Sequence, residues 1–289
     1  SKNHEYDGEE DLLSIPDKFV RVMSSIPRLK RRLECWDFML KFDSAVTSLL
    51  PHITTMKDAC KELKENKSWE YVLQTILAIG NFVNAQNNRV GNSYGFKLKS
   101  LNKIKDTKSQ DNKSNLLQFI ITLVHTKNPT AAECVSEMVN VDRTAKVPFE
   151  TIDVELNKLK KGCTLVENEY KVQLKADPSA SEALTSMLKN FIEEKMHQLT
   201  LVEQSYDEMQ KELTSIAELY GEDTSKFHKK PEEFFQDLRE FLSDWKKYWQ
   251  EVVARSEKEI EPTPMIQKPQ AQPQPVSEDP AKNLARLLD

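Results

Sequence analysis

LAIGNFVNAQNNRVGNSYGFKLKSLNKIKDTKSQDNK (Leu77–Lys113) holds three of the chain's six glycines, Gly80, Gly91 and Gly95, in a protein of 289 residues. Glycine normally makes up about 7% of a chain, so a cluster in so glycine-poor a sequence marks a sharp turn or the close approach of another backbone. Lys97, Lys99, Lys103, Lys105, Lys108 and Lys113 follow the glycines, with Asp106 and Asp111 among them. The whole chain carries a net charge of −5, so a basic loop here points to an acidic partner.

The residues on either side read as helix. Ser68 is the expected N-cap of a helix with a face of Trp69, Val72, Leu73, Ile76, Leu77, Gly80 and Val83. Gly80 falls in that apolar stripe, where alanine is the better helix former, and this predicts that something large packs against it. The helix is expected to fade at Asn84–Asn88. Phe96, Leu98, Leu101 and Ile104 then anchor the loop while its lysines point elsewhere. Asp111 is the expected cap of the next helix, whose core is Leu116, Leu117, Phe119, Ile120 and Val124.

Upstream, Ser14-Ile15-Pro16 starts a helix with face Phe19, Val20 and Met23, proline being tolerated in the first turn. Pro27 restarts the pattern with Leu29, Leu33, Trp36, Leu40, Val46 and Leu49 inward. Arg28, Lys30, Arg31 and Arg32 lie on the polar side, as a solvated face or as a contact for an acidic partner. Pro51 is expected to end this helix and a shorter one to cover Thr54–Leu63. Downstream, Pro129 and Pro148 bound a helical segment holding Ala132, Val135, Met138 and Val141.

Two heptad-like seams follow. Ile152, Leu156, Leu159, Cys163, Val166 and Tyr170 form the first, and Leu199, Val202, Tyr206, Met209, Leu213, Ile216 and Tyr220 the second. Asp177-Pro178-Ser179 separates them, so they read as an antiparallel pair packed on itself or on the preceding unit. Gly221 stops the second. Pro231 opens a last helix whose stripe of Phe234, Leu238, Phe241, Trp245, Trp249 and Val252 reads as core. The fold class is therefore all-α: an elongated multi-helix domain with a long antiparallel, coiled-coil-like section and a final long helix. Residues 1–13 read as disordered and 259–289 as a flexible Pro/Gln-rich tail.

The pattern argues against most chemistry. Cys35, Cys60, Cys134 and Cys163 lie far apart, without the clustering of a metal site or a disulfide framework. The five histidines are scattered, and no phosphate loop, zinc-protease motif or nucleophile elbow is present. No enzyme, metal or cofactor is expected. The lysine loop lacks the arginines and interleaved aromatics of nucleic-acid readers, so nucleic acid is not the expected partner. No apolar run is long enough to span a membrane.

Four stretches in order carry a resemblance. GNFVN (Gly80–Asn84) resembles the GNxxN signature of the formin homology 2 domain, the actin-assembly domain of formins. GFKLKSLNKIKDTKS (Gly95–Ser109) is similar to that family's GF-x-L-x-x-L-x-K block, IPRLKRRLECWDFMLKF (Ile26–Phe42) to its PRL-x-x-RL helix, and PEEFFQDLREFLSDW (Pro231–Trp245) to its closing helix. The resemblance implies an all-helical fold ordered lasso, linker, knob, coiled coil and post, with two chains in a head-to-tail ring on the barbed end of an actin filament. It places Gly80, Asn81 and Asn84 on the post surface that receives the second chain's lasso. It places Lys103, Lys105, Lys108 and Lys113 in the basic segment that contacts actin, with Arg28, Lys30 and Arg32 as a second actin surface. Nothing matches the lasso and linker, so residues 14–258 read as the C-terminal portion of the domain, mostly monomeric by itself. Profilin would be engaged only through regions absent here. The protein is expected in the cytoplasm, on the cytoskeleton. The competing reading is a helical scaffold that binds another acidic protein through the lysine loop 97–113.

Overall fold

The computed structural model describes residues 13–86, 93–110, 112–136, 138–147, 149–175 and 182–260. Most of the segments expected to be disordered or flexible, 1–12 and 261–289, lie outside the described residues. The described residues are mostly helical. The helices are α1 (Ile15–Ser25), α2 (Leu29–Glu65), α3 (Lys67–Val83), a 3-10 helix (Leu98–Asp106), α4 (Leu116–Lys127), α5 (Pro129–Ser136), α6 (Val139–Thr144), α7 (Phe149–Lys175), α8 (Glu182–Leu219), α9 (Thr224–Phe227) and α10 (Pro231–Ile260). Residues up to Val252 form one compact unit; Val253–Ile260, the last turns of α10, fall in a second that begins at Val253.

Three long helices make the first half of the core. The aliphatic residues of the two seams are buried as expected, from Ile152 to Val166 on α7 and from Leu199 to Ile216 on α8, while their tyrosines, Tyr170, Tyr206 and Tyr220, are half-buried. Tyr206 donates to Asp153 (2.5 Å) and Lys160 pairs with Glu203 (3.1 Å), so α7 and α8 run antiparallel. Both also pack on α2, which contributes Cys35, Phe42, Val46, Leu49, Ile53, Met56, Ala59, Cys60 and Leu63. Phe38, Phe42 and Phe191 interlock edge to face with centroids 5.3–6.0 Å apart. Opposite Phe38 stands Gly162. A Cβ there would lie 2.1 Å from the Phe38 ring, so α7 needs glycine to approach α2 this closely.

α2 departs from the sequence pattern in two ways. Pro51 does not end the helix, which runs unbroken for 37 residues. Proline removes one backbone donor and crowds the preceding turn. Pro51 is exposed, however, and the buried Leu49 and Ile53 beside it hold the helix in register by packing. The expected N-terminal apolar face is also wrong: Leu33, Trp36 and Leu40 are exposed, and Cys35 and Phe42 face the core instead. The helix starts at Leu29, just after Arg28, a left-handed N-cap residue (φ 60°). α1 likewise turns Ile15, Phe19 and Val22 to solvent and buries no residue.

The second half of the core gathers around α10. Phe234, Leu238, Phe241, Trp245 and Val252 are buried along its stripe, while Trp249 is half-buried. Trp69 on α3 stacks edge-on against Phe241 (5.9 Å) and donates to Tyr220 Oη (2.8 Å), which in turn donates to the Leu63 carbonyl (3.2 Å). Trp245 donates to the Ala132 carbonyl (3.2 Å), joining α10 to α5. Several boundaries differ from expectation. Asn66, not Ser68, caps α3 by accepting from the Trp69 N–H. Asn115 caps α4 in a reciprocal capping box with Gln118, whereas Asp111, the expected cap, lies outside the described residues. The helical segment expected from Pro129 on consists of two short helices, α5 and α6.

Candidate functional site

The lysine loop is built on the 3-10 helix. Three residues per turn stack i and i+3 in register, so the nine residues sort into three separate edges. Leu98, Leu101 and Ile104 form the inward edge, with Leu98 and Leu101 buried. Ser100, Lys103 and Asp106 form an outward edge and are all exposed. Lys99, Asn102 and Lys105 form the third, of which Asn102 and Lys105 turn to α10. The apolar anchor expected of this stretch is thus present.

Its lysines do not share one environment. Lys103 and Lys108 are exposed and have no ion pair among the described residues. Lys108 stands on pinned backbone. It bridges to Asn115, the Leu116 N–H donates to the Thr107 carbonyl (2.8 Å), and Ser109 and Ser114 close the turn. Lys113 is exposed in that turn, next to the left-handed Asn112 (φ 55°). Lys105 is different: its Nζ sits 2.9 Å from Glu240 and 2.8 Å from Asp244 of α10. Hydrogen bonds to Asp244 and Glu240 push its pKa well above the ordinary lysine value. Asn102 adds a donor bond to the Asp237 carbonyl (3.0 Å).

A groove of about 650 Å³ opens beside the 3-10 helix, lined by Leu73 and Leu77 of α3, Phe96, Leu98, Leu219 and Tyr220 among others. Gly80 continues the α3 stripe one turn beyond Leu77. The expectation that something large packs on Gly80 is not met among the described residues: a Cβ there would meet nothing within 4 Å. Asn81 faces the chain itself. Its side chain donates to the Ser93 carbonyl (2.9 Å) and accepts from the Ser93 N–H (2.9 Å), a two-point clasp across the glycine loop. Asn84 closes α3 by donating to the Gly80 carbonyl (2.8 Å). Just past the clasp, Tyr94 is fully exposed.

The second basic surface is partly committed to the fold. Arg28 forms a two-point ion pair with Glu169, whose side chain is fully buried, at distances down to 2.6 Å. Arg32 donates to Gln173 (3.2 Å), and Gln173 donates to Glu169 (2.7 Å). Burial alone would raise the Glu169 carboxyl, but the hydrogen bonds from Arg28 and Gln173 and the nearby positive charges hold it below the usual range. Lys30 is exposed. Sequence reasoning missed Asn102, Glu240 and Asp244. The three-residue step Leu98–Leu101–Ile104 was the available signal, since a 3-10 pitch implies that Asn102 and Lys105 share an edge.

Among the described residues no group of three or more His, Cys, Asp or Glu is placed to hold a metal ion, and no helix is long and apolar enough to cross a membrane. The family described as the Formin Homology 2 Domain matches residues 1–246. Human protein diaphanous homolog 3 is 31% identical over 255 residues, covering 88% of this chain and 21% of its own. Disheveled-associated activator of morphogenesis 1-A of Xenopus laevis is 33% identical over 239 residues, 82% of this chain and 22% of its own. Formin-H of Dictyostelium discoideum is 31% identical over 253 residues, 86% and 23%. The chain therefore spans about a fifth of the length of these relatives. The match over residues 1–246 and these relatives lead to one assignment: this chain belongs to the formin homology 2 domain family.

Proposed function

We propose that this chain is the actin-binding part of a formin that nucleates and elongates actin filaments at the barbed end, in the cytoplasm and on the cytoskeleton. The observation that carries the reading is the outward charge of Lys103 and Lys108 on a pinned loop in an acidic chain. Exposed cations held on rigid backbone meet an acidic partner without first ordering the loop. Arg28, Lys30 and Arg32 serve as a second, weaker surface, with Lys30 the member not tied to α7. The α3 surface at Gly80, one turn beyond the groove residue Leu77, takes the lasso of a second formin chain. An open site at Gly80 and an exposed Tyr94 leave room for it. Full activity belongs to that two-chain assembly. The family assignment does not favour a generic helical scaffold for some other acidic protein.

Elongation from preformed actin seeds tests this. Titrating the chain is expected to slow barbed-end growth and to compete with barbed-end capping protein, and Lys103→Ala/Lys108→Ala is expected to weaken both effects about tenfold. Unchanged growth with the parent chain, or equal inhibition by the double variant, would remove the actin contact from this loop.

A further inference from the structure

We propose that Lys105 is a positioning residue: its grip on Glu240 and Asp244 of α10 fixes the 3-10 helix so that Lys103 and Lys108 carry the charge offered to the partner. The inference rests on the reading that this loop meets actin. Its physical basis is the pitch of the helix. At three residues per turn, Asn102 and Lys105 share one edge and Lys103 sits on the next, so gripping one edge orients the other. Lys105 spans two carboxylates at 2.8 and 2.9 Å, and Asn102 reaches the Asp237 carbonyl and, at 3.4 Å, Glu240. Four polar contacts therefore join this one edge to two turns of α10.

Direct contact between Lys105 and a partner would have to break both ion pairs. It would also leave Asp244, only 26% exposed, without its cation. Lys103 has no such contacts to lose. On this account the α10 carboxylates belong to the binding apparatus although they repel an acidic partner. Pure electrostatics predicts that neutralising them strengthens binding, because two negative charges are removed. The clamp predicts the reverse.

The experiment uses the full chain, with co-sedimentation on actin filaments and amide hydrogen exchange across residues 99–108. The variants are Lys103→Ala/Lys108→Ala, Lys105→Met, Lys105→Arg and Glu240→Gln/Asp244→Asn. The first is expected to weaken binding about tenfold with exchange unchanged. Lys105→Met and Glu240→Gln/Asp244→Asn are each expected to weaken binding about three- to tenfold and to speed exchange at 101–107 by about tenfold. Lys105→Arg, which can still reach both carboxylates, is expected to retain both properties. Equal or tighter binding by Glu240→Gln/Asp244→Asn alongside weaker binding by Lys105→Met would make Lys105 a direct contact and overturn the proposal. Unchanged exchange in both clamp variants would overturn it too. Parent-like binding by Lys103→Ala/Lys108→Ala would instead remove the actin assignment, with the exchange data still deciding whether the clamp exists.

Discussion

Two glycines in helices do opposite work. Gly162 lets α7 touch α2, and a methyl group there would meet the Phe38 ring at 2.1 Å. Overpacking of this kind costs about 1–3 kcal/mol. Gly162→Ala is therefore expected to lower the denaturant midpoint, with Phe38→Leu in the same chain restoring part of the loss. Gly80 has open space, so Gly80→Ala is expected to raise the stability of the isolated chain by about 0.5–1 kcal/mol through helix propensity alone. A fall in stability would mean that the site is filled within the chain. The thiols are a further residue-scale case. Burial pushes Cys35 up to about 11 and Cys60 and Cys163 up to about 12. A neutral, covered thiol is a poor nucleophile. At pH 8 the folded chain is expected to leave these three unreacted with a disulfide reagent until denaturant is added.

At the scale of elements, α2 carries a proline in mid-course that its packing overrides. Pro51→Ala returns a backbone donor on an exposed face and is expected to raise stability by about 1–3 kcal/mol. A lower midpoint would show that Pro51 shapes a bend the core depends on. The 3-10 helix is the converse case, an element defined by what it docks on. Isolated 3-10 turns are weak, and this one persists because Leu98 and Leu101 are buried while Asn102 and Lys105 are tied to α10.

At the scale of the whole molecule, the Arg28–Glu169 pair joins the start of α2 to the far part of α7, 141 residues apart in sequence. The folded Glu169 carboxyl titrates below its unfolded value. In the window between the two the unfolded chain binds more protons, so stability rises with pH there. The contribution is fully present above the ordinary carboxylate value of about 4.3 and is lost as pH falls through the folded one. Thermal unfolding followed from pH 7 to pH 3 is expected to show this loss below about pH 4.5. Glu169→Gln is expected to be less stable at pH 7 by about 1–3 kcal/mol and to show a shallower acid slope. A variant with the same slope as the parent would place the acid sensitivity elsewhere.

The sequence by itself determined the helical class, the α7 and α8 seams, the α10 stripe, the stop at Gly221 and the position of the basic loop, because each is a local pattern of period, cap or composition. It also held the motifs of the family, from GNFVN to PEEFFQDLREFLSDW. Tertiary structure alone decided which residues of those patterns have partners. Pro51 stays helical because the neighbouring Leu49 and Ile53 are buried. Leu33, Trp36 and Leu40 match a helical period yet face outward, since α2 packs on α7 and α8 through Cys35, Phe42 and Val46. Lys103 and Lys105 stand two residues apart with the same chemistry, and only α10, some 135 residues later in the chain, makes one a free charge and the other a clamp. Periodicity is a property of neighbours in sequence, whereas ion pairing and burial depend on residues far along the chain.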